Sequence, residues 1–161
     1  KISLESRKLN EKLPYFILKK IKSKIKNNNS KLKISILGFA FKGNPETSDL
    51  RGAISIEFVK HLNKIFKKAK FFGYDPVISN RELQLNFPKK IKFSKNIIEM
   101  FNKSDLVLIL NNHKVFQNLS IHKLSKKMKQ SGIIYDCWSL FEREKKKLNK
   151  HGKIEYIPFG D

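Results

Sequence analysis

The apolar residues of this chain follow two rhythms, and their order predicts an architecture. Leu4, Leu9, Leu13, Phe16, Ile17, Ile21 and Ile25 recur at a spacing near one helical turn, which lines them along one face of a long amphipathic helix from Leu4 to Lys26. Pro14 lies within it, and because a proline ring displaces the carbonyl one turn back, a kink or a fresh turn is expected there. Asn27, Asn28, Asn29 and Ser30 then form a polar break, which sets the expected boundary between residues 1–30 and a domain over 31–161.

From Lys31 the pattern alternates between strand-like runs and helical stretches. Strands are expected at Lys33–Leu37, Lys70–Tyr74, Lys90–Phe93, Asp105–Leu110, Gly132–Asp136 and Lys153–Ile157. Helices of about three to four turns are expected at Ala53–Lys68, Asn96–Lys103, Ser120–Lys129 and Leu140–His151. Ile36, Leu37 and the run Leu106 to Ile109 are continuously apolar, as strands buried on both faces require. Ala53, Ile54, Phe58, Val59, Leu62 and Phe66 give the first crossover helix a wide apolar stripe. Asp75-Pro76 ends the second strand, because proline has no amide to give the ladder, and His151-Gly152 supplies a helix stop before the last strand. Together these predict an α/β, Rossmann-like parallel sheet of five to six strands with helices on both faces, preceded by a long N-terminal helix.

Composition narrows the setting. At 161 residues there is room for one domain with a proper core and little more. The chain opens on Lys1 and enters at once on a helical pattern, which reads as a piece of a longer polypeptide. No apolar stretch approaches the roughly 18 residues that span a bilayer, so no membrane partner is expected. The single cysteine, Cys137, excludes an internal disulfide or a cysteine-based metal cluster and fits a reducing cytoplasm. His61, His113, His122 and His151 show no metal-ligand spacing. The net charge of +21 invites a nucleic-acid reading, but only Arg7, Arg51, Arg81 and Arg143 are arginine. A reader of phosphates and bases leans on the bidentate guanidinium, so the lysines read as solvated faces and argue against a nucleic-acid partner. An attraction for anions, nucleotide phosphates included, remains.

The candidate chemistry concentrates in Gly38 to Gly52, Gly-Phe-Ala-Phe-Lys-Gly-Asn-Pro-Glu-Thr-Ser-Asp-Leu-Arg-Gly, between the first strand and the first crossover helix. This is the carboxyl edge where α/β sheets bind nucleotides. Gly38 suits a tight turn or a close backbone approach, and Gly43 a positive φ in the loop. Lys42, just past a strand end, is placed to bring a point cation to a diphosphate while its stem stays packed. Asp49 suits capping of the helix that follows. Arg51 stands out in a lysine-rich chain, and an internal ion pair ordering residues 43–48 and a substrate contact are both open for it. Glycines at 38, 43 and 52 do not spell the dinucleotide fingerprint, so Asp75 reads as a turn former rather than a ribose ligand.

With its Gly-Phe-Ala-Phe-Lys and later Asp-Leu-Arg, the segment resembles the opening of the C-terminal nucleotide-sugar-binding domain of the UDP-glucose/GDP-mannose dehydrogenase family, where strand, Gly-x-Ala-Phe-Lys and Asp-x-Arg follow in this order. Arg7 to Pro14 resembles the family's stretch on the central helix that builds the dimer, and Asn112 to Phe116 the segment after a later strand. Asp136-Cys137-Trp138 stands where many members read Asp-Gly-Arg, so a tryptophan able to stack on a base or sugar ring replaces a substrate-handling arginine. The resemblance implies substrate binding by Lys42 with Phe41 beside it, and by Gly38, Asp49, Arg51 and Trp138. It also implies that the catalytic cysteine lies upstream in a glycine-rich motif, with Cys137 a packing residue, and that this chain holds neither catalytic residue nor cofactor site. The whole polypeptide would oxidise a UDP-sugar to a UDP-uronate with NAD for polysaccharide biosynthesis, as a homodimer built through the N-terminal helix. The Pro45-Glu46-Thr47 insertion is more like that of members acting on N-acetylated or uronate-forming sugars of surface polysaccharides than like plain UDP-glucose enzymes. The competing reading is a stand-alone basic α/β module that binds nucleotides or nucleic acid without catalysis.

Overall fold

Short apolar strands cannot bury both faces alone, and here they pair into one sheet covered on each side. The computed structural model describes residues 2–25, 31–150 and 153–160, with 2–11 as helical backbone. The elements run α1 (Ile2–Lys24), β1 (Lys33–Leu37), α2 (Ile54–Ile65), β2 (Lys70–Tyr74), α3 (Asn80–Asn86), β3 (Ile91–Phe93), α4 (Ile97–Phe101), β4 (Leu106–Ile109), α5 (Lys114–Gln117), α6 (Ile121–Ser125), β5 (Gly132–Asp136), a 3-10 turn (Glu142–Glu144), α7 (Lys145–Asn149) and β6 (Ile154–Pro158). The Asn27–Ser30 break with the boundary drawn there, the His151-Gly152 stop and the side chains of Leu4 and Leu9 lie outside the described residues.

All six strands are parallel, in the order β3-β2-β1-β4-β5-β6. The period-two alternation of a strand sends neighbours to opposite faces. Ile34, Ile36, Leu106, Leu108, Ile133 and Tyr135 therefore join one core with Leu18 and Ile21 of α1, Phe58 and Leu62 of α2 and Leu83 of α3. Leu37, Val107, Ile109 and Ile134 join the other, with Phe101, Phe116, Ile121 and Leu148 from the helices of the far face. The strand order reverses between β1 and β4, and at such a switch point the loops leaving neighbouring strands part and open a crevice.

Three expectations are corrected. The helix α1 runs through Pro14 as one element rather than restarting there as a fresh turn, because Leu18, Ile21 and Ile25 beyond it are buried in the core, and that packing outweighs one missing backbone bond. The helices at Asn96–Lys103 and Ser120–Lys129 shrink to five residues each, Ile97–Phe101 and Ile121–Ser125, and Leu140–His151 divides into the 3-10 turn and α7. Helices α3 and α5 were not anticipated; α3 buries only Leu83, and α5 is four residues long, so neither leaves a readable period.

Candidate functional site

The loops above the switch point begin as continuations of the ladder. The Gly38 amide donates to the Tyr74 carbonyl at 2.9 Å, Leu110 to Leu37 at 2.8 Å, Cys137 to Ile109 at 2.9 Å and Phe159 to Asp136 at 2.9 Å. The four strand ends are thereby fixed before the chain turns away from the sheet.

Gly38 turns with φ of +84°, and a Cβ there would fall 2.5 Å from the Asn111 amide carbon. It thus meets both demands placed on it, a left-handed turn and a close approach. Phe39 then dives into the core, edge-on to Phe87 and Phe93 at 4.8 and 5.3 Å between ring centroids. Asp75, at the end of β2, accepts the Phe39 and Ala40 amides on one oxygen at 2.7 and 3.2 Å, and the Val77 and Ile78 amides on the other at 2.9 Å each. The Ser55 hydroxyl donates to the Phe39 carbonyl at 2.6 Å and ties the start of α2 to the same turn.

The loop that follows is held from β4. Asn112 Oδ1 accepts the Gly43 and Asn44 amides at 3.0 and 3.1 Å. His113 Nδ1 accepts the Val115 amide at 3.1 Å, which leaves the proton on Nε2 to donate to Glu46 at 2.9 Å. Gly43 does not have the positive φ expected of it; it is glycine because a Cβ would overlap the His113 backbone. Asn112, His113 and Glu46 were not singled out by sequence as site residues, since the pairs that join them lie 67–69 residues apart.

A cleft of about 430 Å³ opens above these loops. Phe41, Lys42 and Asn44 line it from the loop after β1, Leu110 and Asn112 from the end of β4, Cys137 and Trp138 from the end of β5, and Phe159 from the end of β6. Leu13 of α1 completes a wall, so the N-terminal helix shapes the cleft directly. Among the described residues Lys42 has no hydrogen-bond or ion-pair partner, which leaves its ammonium available to an anion. Trp138 donates its indole N–H to the Leu110 carbonyl at 3.1 Å and its backbone amide to Asp136 Oδ1 at 3.0 Å. Asp136 is fully buried and also accepts the Tyr156 hydroxyl at 2.8 Å. Burial pushes its carboxyl above the usual carboxylate range despite these donors. Burial likewise raises the Cys137 thiol, which makes it a poor nucleophile and fits packing against the core.

Asp49 and Arg51 lie apart from the cleft wall. They form a bidentate pair with each other, Nε to Oδ1 at 3.0 Å and Nη2 to Oδ2 at 2.8 Å, and the Arg51 side chain is 91% exposed. That hydrogen bonding holds the Asp49 carboxyl down at about 2. Asp49 does not cap α2, whose N-cap is Ala53 with no side-chain bond; the carboxylate accepts the Arg51 amide at 2.9 Å instead, within its own turn. A second hollow of about 320 Å³ lies at the opposite edge of the sheet, where Lys22, Lys64 and Lys68 surround Ile25, Leu32 and Phe66, and it contains none of the sequence-predicted site residues.

A parallel sheet with a crevice at its switch point defines a nucleotide-binding type of α/β domain. Residues 35–143 match the UDP binding domain of the UDP-glucose/GDP-mannose dehydrogenase family, and the chain belongs to that family. It is 31% identical over 133 residues to a UDP-N-acetyl-D-mannosamine dehydrogenase of Methanococcus vannielii, covering 80% of this chain and 28% of that protein. A UDP-N-acetyl-D-mannosamine dehydrogenase of Campylobacter jejuni is 31% identical over 124 residues, 77% of this chain and 29% of the relative. The chain thus spans under a third of the length of these relatives. The crystal structure of an NDP-N-acetyl-D-galactosaminuronic acid dehydrogenase from Methanosarcina mazei shares the fold with a TM-score of 0.75 at 21% identity, over 99% of this chain and 32% of that one. Among the described residues no helix is long and apolar enough to cross a membrane.

Proposed function

We propose that this chain is the substrate-binding part of a nucleotide-sugar 6-dehydrogenase that oxidises a UDP-sugar to a UDP-uronate with NAD, for polysaccharide biosynthesis in a reducing cytoplasm. The observation that carries the reading is the cleft at the switch point, which unpaired Lys42 lines together with Phe41 and Trp138. Lys42 neutralises the diphosphate, and Gly38 makes the turn that brings Phe41 and Lys42 to it. Asp49 and Arg51 lie just before Gly52, which lines the cleft, and the Arg51 donors not held by Asp49 are open to the ligand at that rim. The relatives' names support an N-acetylated sugar as substrate.

Residues 1–30 are the end of a central helix through which two copies pair, and residues 31–161 form the nucleotide-sugar domain. Tyr15 and Phe16, exposed on α1, suit such a contact. The residues of this chain do not fit NAD. There is no Gly-x-Gly-x-x-Gly turn, and the carboxylate at the end of β2, where a ribose would be held, is filled by four backbone amides. Taking the C6 hydroxyl to a carboxylate removes four electrons and adds one water, so two NAD molecules are consumed at a site elsewhere in the polypeptide.

Calorimetric titration of the chain with UDP-N-acetylmannosamine, UDP and a short RNA tests the proposal. Both uridine ligands should bind, and Lys42→Ala should weaken them by about tenfold, the worth of one charge-assisted hydrogen bond. Preferential binding of RNA, collapsing between low and moderate salt, would establish the stand-alone basic module instead.

A further inference from the structure

Phe41, Trp138 and Phe159 come from three separate loops and converge on the same cleft, each with about half its surface exposed: 52%, 47% and 50%. Among the described residues none of the three has another aromatic ring as a partner. Exposed rings gathered on one concavity are a standing cost unless something planar covers them.

Trp138 differs from an ordinary surface indole because it is held at both ends. Its ring N–H is bound to the Leu110 carbonyl and its backbone amide to Asp136, a carboxylate itself fixed by Tyr156. The ring is therefore exposed and immobile at once, so a ligand that stacks on it does not first have to order it. Polar groups able to read a base by hydrogen bonding are few in this wall, whereas stacking needs only a π-face.

We infer that Trp138 is the platform for the nucleobase of the bound nucleoside diphosphate, with Phe41 and Phe159 flanking the base and Lys42 taking the phosphates. This rests on the nucleotide-sugar reading and assigns the ends of the cleft within it. The base end is the neutral aromatic surface of Phe41, Trp138 and Phe159; the phosphate end is the Lys42 ammonium. Affinity for the base then comes from ring contact rather than from charge, so it survives salt that screens the +21 surface.

Trp138 is the only tryptophan of the chain, so its emission reports on this ring alone. UDP added to the unmodified chain at about 0.15 M salt, where the Debye length is about 8 Å, should quench that emission, and inorganic pyrophosphate should not. Trp138→Leu should weaken UDP by about tenfold and leave pyrophosphate unchanged, while Trp138→Phe retains most of the UDP affinity. Calorimetrically detected UDP binding that leaves the emission unaltered, or Trp138→Leu binding UDP as the parent does, overturns the platform while the nucleotide-sugar reading stands. UDP binding no tighter than pyrophosphate overturns both. The fluorescence arm needs no variant, so a folding defect cannot obscure it.

Discussion

The carboxylate of Asp75 accepts the Phe39 amide at 2.7 Å, joining the turn that leaves β2 to the turn that leaves β1. The two turns could separate without it, since each is irregular backbone at a sheet edge. Ala40, Val77 and Ile78 bond to the same carboxylate, so one 8%-exposed side chain satisfies four amides of two loops. The consequence reaches the cleft, because Phe41 and Lys42 follow directly from the clamped Phe39-Ala40. Asp75→Ala should cost about 2–4 kcal/mol in urea unfolding, the penalty for stranding buried amides with charge-assisted bonds lost. A cost under about 0.5 kcal/mol, the range of an ordinary surface change, would mean that water replaces the carboxylate freely.

Gly38→Ala tests the turn itself. The added methyl would sit 2.5 Å from Asn111 on a backbone at φ +84°, and Asn111 is only 1% exposed, so it has little room to retreat. Left-handed strain alone costs about 1–3 kcal/mol, and the overlap adds to it. Thermal unfolding should drop by several degrees, and UDP affinity should fall with it as the loop carrying Lys42 is displaced. Unchanged melting would show that the β1–β4 crevice can widen at its base.

How far the sequence carries this structure depends on whether a signal is local. β1, β2 and β5 begin and end where expected, at Lys33–Leu37, Lys70–Tyr74 and Gly132–Asp136, because each is a compact, largely apolar run set off by polar or turn-forming neighbours. The parallel order follows from βα alternation. Helix α3 escapes because Asn-Arg-Glu-Leu-Gln-Leu-Asn turns one apolar residue inward and leaves Leu85 80% exposed. Within the site, Phe41 and Lys42 are legible from their place after the first strand and Trp138 only through the family's Asp-Gly-Arg position, and the three do line one cleft. Phe159 and Asn112 are not, since an ordinary phenylalanine and asparagine acquire meaning only when β6 and β4 come to lie beside β5 and β1. Asp49 and Arg51 show the converse: adjacent in sequence and mutually satisfied, they are placed by each other rather than by the cleft.

Asn112 bears on binding without needing to touch the ligand. Its oxygen fixes the amides of Gly43 and Asn44, the two residues after Lys42, and so sets where that ammonium stands. Asn112→Ala removes two partly solvated bonds, and water takes their place at a cost of about 1 kcal/mol or less in stability. UDP affinity should fall more than stability does, by about five- to tenfold, and Asn112→Asp, which keeps the acceptor, should restore the stability of the loop while its added negative charge still weakens the diphosphate. Equal loss of stability in both variants would show that the Asn112 oxygen does not hold the loop.

Asp136 gives the chain a pH dependence of unusual sign. Its folded pKa is raised by burial above the unfolded value, so between the two the native state holds the proton more often than the unfolded chain does. The contribution is therefore fully present below the unfolded value of about 3.9 and is lost as pH rises through the folded one. Asp49 runs the other way: Arg51 holds it at about 2, so its contribution is present above the unfolded value and disappears as pH falls toward 2. Urea unfolding of the parent and of Asp136→Asn at several pH values from 4 to 7 separates them, since every other group is common to both chains. The parent should gain on the variant as pH falls across that range. Emission from Trp138, whose backbone amide is bonded to Asp136, should remain steady through it because the carbonyl of Leu110 still holds the indole. A difference that stays flat with pH would show that Asp136 ionises in the fold as easily as in water, and that its hydrogen bonds from Trp138, Tyr156 and Phe141 fully offset its burial.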